Sequence, residues 1–161
     1  QLVEEERGSV PTHVHNRKES DVRYFMGHPL AMFGSDGRAV SPDGLYRTAL
    51  PHPRFYGTYP RVLGHYVRET GTLRLEDAVR KMTSAVADRL SLRDRGRLQP
   101  GCFADIVLFD PETVLDLATF SDPHQLSSGI QDVWVNGTRV VANHTHTGAT
   151  PGQVVSGAGK K

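Results

Sequence analysis

The sequence predicts an α/β unit followed by a smaller antiparallel β unit, in a chain of 161 residues. Two observations support this prediction. Candidate strands and helices alternate through residues 1–95, which indicates a parallel sheet. From residue 96 onwards candidate strands follow one another, and two of them flank Asn136-Gly137, a dipeptide typical of β-hairpin turns. The second unit is too short to bury a full core alone, so we expect it to pack on the first unit or on further chain.

The first unit opens with short elements. Residues 1–7 are predicted to end a helix, and residues 9–16 to form a short strand. A short helix is expected within residues 17–29, with Gly27 as its end. The unbroken apolar run PLAMFG, residues 29–34, is typical of a buried strand.

A long loop and two helices complete the first unit. Residues 37–60 are rich in glycine, proline, arginine and tyrosine, and loops of this length in compact domains are usually functional or disordered. Their aromatic side chains argue against disorder. A helix is predicted over residues 60–71. Another begins at Leu75, where apolar residues recur at helical spacing: Ala78, Val79, Met82, Val86 and Leu90.

The second unit follows a different pattern. Residues 96–111 are predicted as a turn followed by the strand ADIVLF. Residues 129–141 are predicted as two strands joined by the Asn-Gly turn. No internal repeat or low-complexity segment interrupts either unit.

The composition excludes several classes of function. Apolar residues make up 37% and charged residues 23% of the chain, and the net charge is +1. This balance gives no electrostatic support for binding nucleic acid or a membrane surface. No apolar run is long enough to span a bilayer, and the acidic N-terminus lacks a signal-peptide pattern. The single Cys102 excludes an internal disulfide and a multi-cysteine zinc site. We therefore predict a cytoplasmic protein with no nucleic-acid or membrane partner.

Asp36 is the first candidate for chemistry. It lies in Gly-Ser-Asp-Gly, directly after the predicted buried strand, and before the long aromatic loop. By composition alone this stretch is an ordinary turn. In α/β barrels, however, reacting groups lie on the loops after the strands, where an aspartate can bind a metal or act as a general base. Gly34 and Gly37 would let the backbone turn sharply and let substrate approach. The residues alone leave turn and site equally open.

Other candidates carry less weight. Arg54, in His-Pro-Arg, presents a planar fork suited to a carboxylate, but a surface ion pair would explain it as well. His13-x-His15 has a spacing that metal sites use, yet two ligands are too few for a site. His144-x-His146 reads as surface. The P-loop, Rossmann glycine, nucleophile-elbow and CxxC patterns do not occur in the sequence.

Four segments, in order, resemble one protein family. They are HPLAMFGSDGRAVSPDG, HPRFYGTYPRVLGHYVRE, RGRLQPGCFADIVLFDPETVLDLATF and PHQLSSGIQDVWVNGTRVV. Together they are similar to the C-terminal portion of the N-acyl-D-amino-acid deacylases, or D-aminoacylases, of the amidohydrolase superfamily. GSDG and HPRFYGTYPRVLGHY are the most specific pieces. The resemblance runs through nearly the whole chain but covers only the last part of such an enzyme.

The resemblance implies a particular fold. Residues 1–95 would be the last β/α units of an incomplete (β/α)8 barrel, with residues 9–16 as its seventh strand and residues 29–34 as its eighth. Residues 96–161 would be the C-terminal share of a small β-sandwich. An incomplete barrel exposes sheet edges. We therefore expect a fragment of a longer chain, which is inactive by itself and whose partner is the missing N-terminal barrel segment.

The resemblance also implies a reaction. Family members hydrolyse the amide bond of N-acyl-D-amino acids at a zinc site. Asp36 matches the aspartate that carries the proton between water and the leaving amine, and it also offers a weak metal ligand. Arg54 matches an arginine that holds the substrate carboxylate, with Ser35 and Gly37 beside the substrate. Cys102 matches none of the family's zinc ligands, so we expect zinc in the complete enzyme and none bound by this chain alone.

Two alternatives remain open at this point. The chain could be a non-catalytic fragment or remnant of an amidohydrolase. It could also belong to an amidohydrolase that acts on another linear or cyclic amide, such as a dihydropyrimidine, although HPRFYGTYPRVLGHY argues against this.

Overall fold

The computed structural model describes residues 2–5, 7 and 17–157. Its helices are α1 (Leu2–Glu5), α2 (Glu19–Gly27), α3 (Arg54–Arg61), a π-helix (Val62–Glu69), α4 (Leu75–Met82) and α5 (Ser84–Arg89). Its strands are β1 (Ile106–Phe109), β2 (Ile130–Val135), β3 (Thr138–Ala142) and β4 (Thr145–His146). The strand predicted at residues 9–16, with His13 and His15, lies outside the described residues.

The strand predicted at residues 29–34 is not formed, and that prediction is wrong for this chain. Residues 31–40 follow α2 without regular secondary structure. The N–H of Phe33 donates to the carbonyl of Lys81 in α4, at 3.2 Å, rather than to a neighbouring strand. A strand needs a hydrogen-bonded neighbour, and within the described part of the first unit no strand is available to pair with it.

Lys81 fixes the course of the chain between α2 and residue 33. Its side chain is fully buried, and its Nζ donates to the carbonyls of Met26, at 2.8 Å, and His28, at 2.5 Å. The carboxylate of Asp77 lies 3.8 Å away. A cation at the C-terminal end of a helix is favoured by the helix dipole. The ammonium group thus caps α2 while the carbonyl of Lys81 holds Phe33.

The helix predicted over residues 60–71 begins earlier, at Arg54. The N–H of Arg54 donates to Nδ1 of His52, at 3.1 Å, which satisfies one of the free donors at the helix start. Pro60 lies inside α3 and supplies no N–H to the preceding turn. The helix continues past this proline as wider π-helical turns that bury Val62, Leu63 and Tyr66.

The helix predicted from Leu75 is divided in two. Thr83 adopts φ −130° and ψ −91°, outside the helical region, and separates α4 from α5. Beyond the break, Gly96 packs closely against α5. A Cβ at this position would lie 2.8 Å from the Cβ of Ala87. Leu90, predicted on the apolar face, is 56% exposed instead. The core of this unit comprises Val62, Leu73 and Ala78, with Met26, Phe33, Val67 and Met82 packed against them.

The second unit contains an antiparallel sheet in the order β1-β2-β3-β4. Strand β2 meets β3 through the predicted turn, where Asn136 has φ 48° and Gly137 has φ 79°. Positive φ at both positions is the geometry that favours Asn-Gly in hairpins. The predicted hairpin and the strand at ADIVLF are therefore confirmed. A further short strand, β4, carries His146, which is exposed as expected.

The second unit packs on the first, as its small size led us to expect. Arg68 of the π-helix donates to the carbonyls of Pro111, at 3.0 Å, and Val114, at 2.7 Å. Val114 is fully buried, and a Cβ on Gly129 would lie 2.4 Å from its Cα. The segment that precedes β2 is thus enclosed between the helices and the sheet. None of the helices in the described ranges has the length and apolar character required to cross a membrane.

Candidate functional site

Asp36 and Arg54, the two principal candidates, are in contact. An Nη2–Oδ2 distance of 3.0 Å joins the Arg54 guanidinium to the Asp36 carboxylate. The Asp36 side chain is 85% exposed and that of Arg54 41%, so the pair lies open to solvent. The sequence assigns these residues two separate roles, and the fold brings the two groups to one place.

The turn that carries Asp36 differs from the one expected. The residue with positive φ is Asp36 itself, at 48°, and not one of the flanking glycines. Aspartate tolerates the left-handed region better than most residues. The hydroxyl oxygen of Ser35 accepts the N–H of Gly37 at 3.2 Å, which closes the turn locally. The turn interpretation therefore holds for Ser35, and the turn itself presents the carboxylate.

Gly37 is needed because the backbone of α3 comes close to it. A Cβ at this position would lie 3.0 Å from the Cα of Phe55 and 3.1 Å from the carbonyl oxygen of Arg54. Gly34, by contrast, has open space where its Cβ would be. The glycine after the aspartate thus lets the turn sit against the start of the helix, which sets the Asp36–Arg54 distance.

Arg54 is placed by the start of α3. As the first residue of the helix it donates its N–H to His52, and its carbonyl accepts the hydroxyl of Thr58 at 3.0 Å. The ring of His52 packs edge-to-face on Phe120, with centroids 4.9 Å apart. A side chain from the second unit therefore supports the His-Pro-Arg motif.

A second contact between the units joins His124 to residues on both sides of Arg54 in the sequence. The hydroxyl of Tyr56 lies 2.9 Å from Nδ1 of His124, and Nε2 of His124 lies 2.9 Å from the carbonyl oxygen of Ala49. Sequence reasoning did not single out Tyr56 or His124. Both residues could have been found from the family resemblance, because Tyr56 in HPRFYG and His124 in PHQ lie within the segments that carry it.

Arg54 also lines a cavity of about 700 Å³. Gly34, from the turn that leads to Asp36, lies in the same lining. Met26, Phe33 and Phe120 contribute apolar wall. A cavity of this volume, with mostly apolar walls and a few charged groups, has the general character of a small-molecule site.

The other charged groups of the cavity are engaged with neighbours. Arg61 pairs with Asp116 at 3.3 Å. The hydroxyl of Tyr66 donates to the carboxylate of Glu19 at 3.3 Å. Burial, and secondly the charge of Glu19, raise the pKa of Tyr66 above its ordinary value, so this phenol stays a protonated donor at neutral pH. These pairs hold α2, α3 and the segment around Asp116 together beside Arg54.

The described residues do not form a metal centre. Within residues 2–5, 7 and 17–157, no three of the His, Cys, Asp and Glu side chains come together as a ligand group. Asp36 has Arg54 as its ion-pair partner, and it could supply one oxygen ligand to a metal held mainly by other residues. Zinc sites in proteins need three or four ligands, so this part of the chain does not fit a zinc ion by itself.

The comparisons with known proteins agree with the resemblance. A family profile described as "Amidohydrolase family" matches residues 6–141. The D-aminoacylase of Alcaligenes xylosoxydans xylosoxydans is 46% identical over 138 residues, which are 86% of this chain and 27% of that protein. A solved D-aminoacylase with a binuclear metal centre has a TM-score of 0.73 and 45% identity, over 82% of this chain and 26% of that one.

A second solved structure carries a ligand. It is an N-acyl-D-glutamate deacylase from Bordetella bronchiseptica, in complex with zinc and a phosphonate inhibitor that mimics the tetrahedral intermediate. Its TM-score is 0.69 and its identity 45%, over 76% of this chain and 24% of that one. The chain thus spans about a quarter of the length of these relatives. Because the profile covers most of the sequence and the solved relatives share its fold, this chain belongs to the amidohydrolase family and has an α/β amidohydrolase fold.

Proposed function

We propose that this chain is the C-terminal part of a metal-dependent deacylase, which hydrolyses the amide bond of N-acyl-D-amino acids to a carboxylate and a D-amino acid. The observation that carries this proposal is the contact of Asp36 with Arg54 at 3.0 Å, beside the cavity. One group can transfer a proton and the other can bind a carboxylate. A substrate with a carboxylate one carbon from its amide needs both groups close together.

Arg54 binds the α-carboxylate of the substrate in this proposal. Its guanidinium is partly exposed and reaches the cavity, and its planar fork matches a carboxylate with two parallel hydrogen bonds. In the chain as it stands the fork is engaged by Asp36. An incoming carboxylate must therefore join or displace that contact, which places the substrate next to the Asp36 oxygens.

Asp36 carries the proton. Its carboxylate accepts a proton from the attacking water and delivers it to the nitrogen of the leaving amine. The turn, in which Asp36 has a positive φ, leaves the carboxylate 85% exposed and therefore accessible to both groups. Ser35 can still donate its hydroxyl proton to substrate while its oxygen accepts from Gly37, and Gly37 keeps the backbone beside the substrate free of a side chain.

Zinc belongs to the assembled enzyme in this proposal. The described residues supply no ligand set, so histidine and cysteine ligands would come from earlier barrel strands, with Asp36 as a weak further ligand. Residues 1–95 would contribute the last β/α units of that barrel, and residues 96–161 the C-terminal share of a β-sandwich. The barrel segment that completes residues 1–95 would be the partner of this chain.

The proposed substrate is the class of N-acyl-D-amino acids. The D-aminoacylase and the N-acyl-D-glutamate deacylase are 46% and 45% identical to this chain, so identity does not favour one side-chain preference over the other. A cytoplasmic location stays a prediction from the sequence.

The test is a chimera. The C-terminal segment of the Alcaligenes D-aminoacylase is replaced by the aligned part of this chain, and the purified protein is assayed with N-acetyl-D-amino acids that have apolar or acidic side chains. We expect hydrolysis with zinc bound, and its loss in the Asp36→Asn chimera at unchanged zinc content and circular dichroism. A folded, zinc-loaded chimera that hydrolyses no N-acyl-D-amino acid would favour the non-catalytic alternative. If the chimera hydrolyses a dihydropyrimidine instead, the result would favour an amidohydrolase that acts on another amide.

A further inference from the structure

His124 holds the His-Pro-Arg segment at two points, one on each side of Arg54. On the N-terminal side, Nε2 of His124 lies 2.9 Å from the carbonyl oxygen of Ala49. On the C-terminal side, Nδ1 lies 2.9 Å from the hydroxyl of Tyr56. The rings of Tyr56 and His124 also meet edge-to-face, with centroids 5.8 Å apart. One imidazole therefore spans the stretch of chain that carries Arg54.

The two contacts determine which way the hydrogen bonds run. A backbone carbonyl can only accept, so Nε2 of His124 carries the proton that it donates to Ala49. In the neutral ring Nδ1 is then an acceptor, and the hydroxyl of Tyr56 donates to it. Burial raises the pKa of Tyr56 above its ordinary value, which keeps that hydroxyl protonated.

His124 follows a turn at residues 119–122 that local hydrogen bonds close. The N–H of Thr119 donates to the carbonyl of Asp122 at 3.0 Å, and the N–H of Asp122 donates to the hydroxyl of Thr119 at 2.9 Å. Pro123, next to the histidine, is fully buried. The ring therefore projects from a segment that is held by the turn before it and by the burial of Pro123.

We propose that His124 is a positioning residue for Arg54: through Ala49 and Tyr56 it fixes the His-Pro-Arg segment so that the guanidinium meets the substrate carboxylate beside Asp36. This inference rests on the proposed function, because it assigns a role to Arg54 in substrate binding. In this scheme His124 acts neither on Asp36 nor on the reacting atoms. Its effect reaches the substrate through the position of one side chain of α3.

Kinetics of the chimera test the role. Tyr56→Phe and His124→Phe each remove hydrogen bonds and retain a ring, and a hydrogen bond of this kind is worth about 1 kcal/mol. We expect KM to rise about fivefold or more, while kcat stays within about twofold, because the lost interaction concerns binding of the carboxylate. In an Arg54→Ala background the same substitutions should leave KM unchanged, because they act through Arg54. An equal rise of KM in both backgrounds would overturn the proposal.

A second measurement does not depend on activity. In the 161-residue chain, ¹⁵N NMR of His124 should show the tautomer protonated at Nε2, and His124→Phe should shift or broaden the side-chain signal of Arg54. The signal of Arg139, which pairs with Asp132 in the sheet, is the matched control and should not change. Protonation at Nδ1, or an unchanged Arg54 signal, would refute the positioning role of His124. If instead Arg54→Ala has no effect on KM while these NMR results are obtained, the proposed function fails, whereas the positioning of Arg54 by His124 is supported.

Discussion

Arg68, in the π-helix, donates to the backbone carbonyl of Val114 at a distance of 2.7 Å. The same carbonyl oxygen lies 2.6 Å from the position that a Cβ on Gly64 would occupy. One carbonyl group therefore receives a charged donor from the helix and excludes a side chain from the turn before it. This contact is where the helices of the first unit meet the segment that leads into the sheet.

The first prediction concerns Gly64. Alanine is ordinarily favoured over glycine within a helix by about 1 kcal/mol. Here we expect Gly64→Ala to lower the free energy of unfolding by about 1–3 kcal/mol, because the new Cβ forces the helix away from Val114. Urea denaturation measures the change. Gly27→Ala is the control, since no atom lies within 4 Å of that Cβ and its midpoint should not fall. Equal midpoints for the Gly64 variant and the parent chain would contradict the prediction.

The second prediction concerns Lys81. Lys81→Met keeps the length of the buried side chain but removes the donor that serves the carbonyls of Met26 and His28. Both partly buried carbonyls would lose a charged donor, so the free energy of unfolding should fall by about 1–3 kcal/mol. Thermal or urea unfolding would measure it. Lys18→Met, at an exposed lysine just before α2, should change stability by less than about 0.5 kcal/mol. A Lys81 variant as stable as its control would show that the cap on α2 is dispensable.

The third prediction separates the roles of Asp36 and Arg54 in the chimera. Asp36→Asn should lower kcat about 100-fold or more without raising KM, since it removes the proposed proton carrier and releases Arg54 from its ion pair. Arg54→Ala should mainly raise KM, about tenfold or more, through the loss of charge-assisted hydrogen bonds to the substrate. Arg54→Lys retains the charge without the planar fork, so its KM should lie between those of the parent chimera and the Arg54→Ala variant. Steady-state kinetics give both constants. The assignment is wrong if the two substitutions affect kcat and KM in the opposite way.

The fourth prediction concerns pH. Asp132 is buried in β2, and its hydrogen bonds from the Arg139 guanidinium, and further from the N–H of Asn143, lower its pKa below the ordinary value. The folded state therefore binds the proton less readily than the unfolded state does. The stabilisation is complete above the unfolded pKa, which is about 4, and is lost as the pH falls through the lower folded pKa.

Asp132→Asn tests this pH dependence. At pH 7 the variant should unfold at a clearly lower urea concentration than the parent chain. The difference between the two urea midpoints should become smaller as the pH falls below about 4. Asp43→Asn, at an exposed aspartate in the 37–60 loop, serves as the control and should match the parent at every pH. A gap that stays constant between pH 7 and pH 3 would show that the carboxylate's charge does not stabilise the fold.

The local features of the fold could be predicted from the sequence. Asn136-Gly137 determines a hairpin through backbone geometry alone, and the structure has that hairpin. The strand at residues 29–34 could not be judged in this way, because a strand forms only against a neighbour and the apolar run does not specify one. In this chain Lys81 takes the neighbour's place as hydrogen-bond acceptor, through a carbonyl that belongs to a helix.

For the candidate site, too, some residues could be predicted from the sequence and others could not. Asp36 and Arg54 could be selected from their chemistry and from the family resemblance, because these depend on residue types in order along the chain. Their ion pair could not be foreseen, since it depends on the close approach of Gly37 to the start of α3. His124 was missed for a related reason. Its partners Ala49 and Tyr56 are far from it in sequence, and nothing local distinguishes it from a surface histidine.

The positive φ of Asp36 limits how this position can change during evolution. A residue in the left-handed region is replaced most easily by asparagine or glycine, and neither carries a charge. The easiest substitutions would therefore preserve the turn and the overall fold while removing the carboxylate and its ion pair with Arg54. Under the proposed role of Asp36, a gene copy released from selection for catalysis would lose activity here without losing structure. Under that role, residue 36 is a position at which an enzyme and an inactive relative descended from this chain would differ.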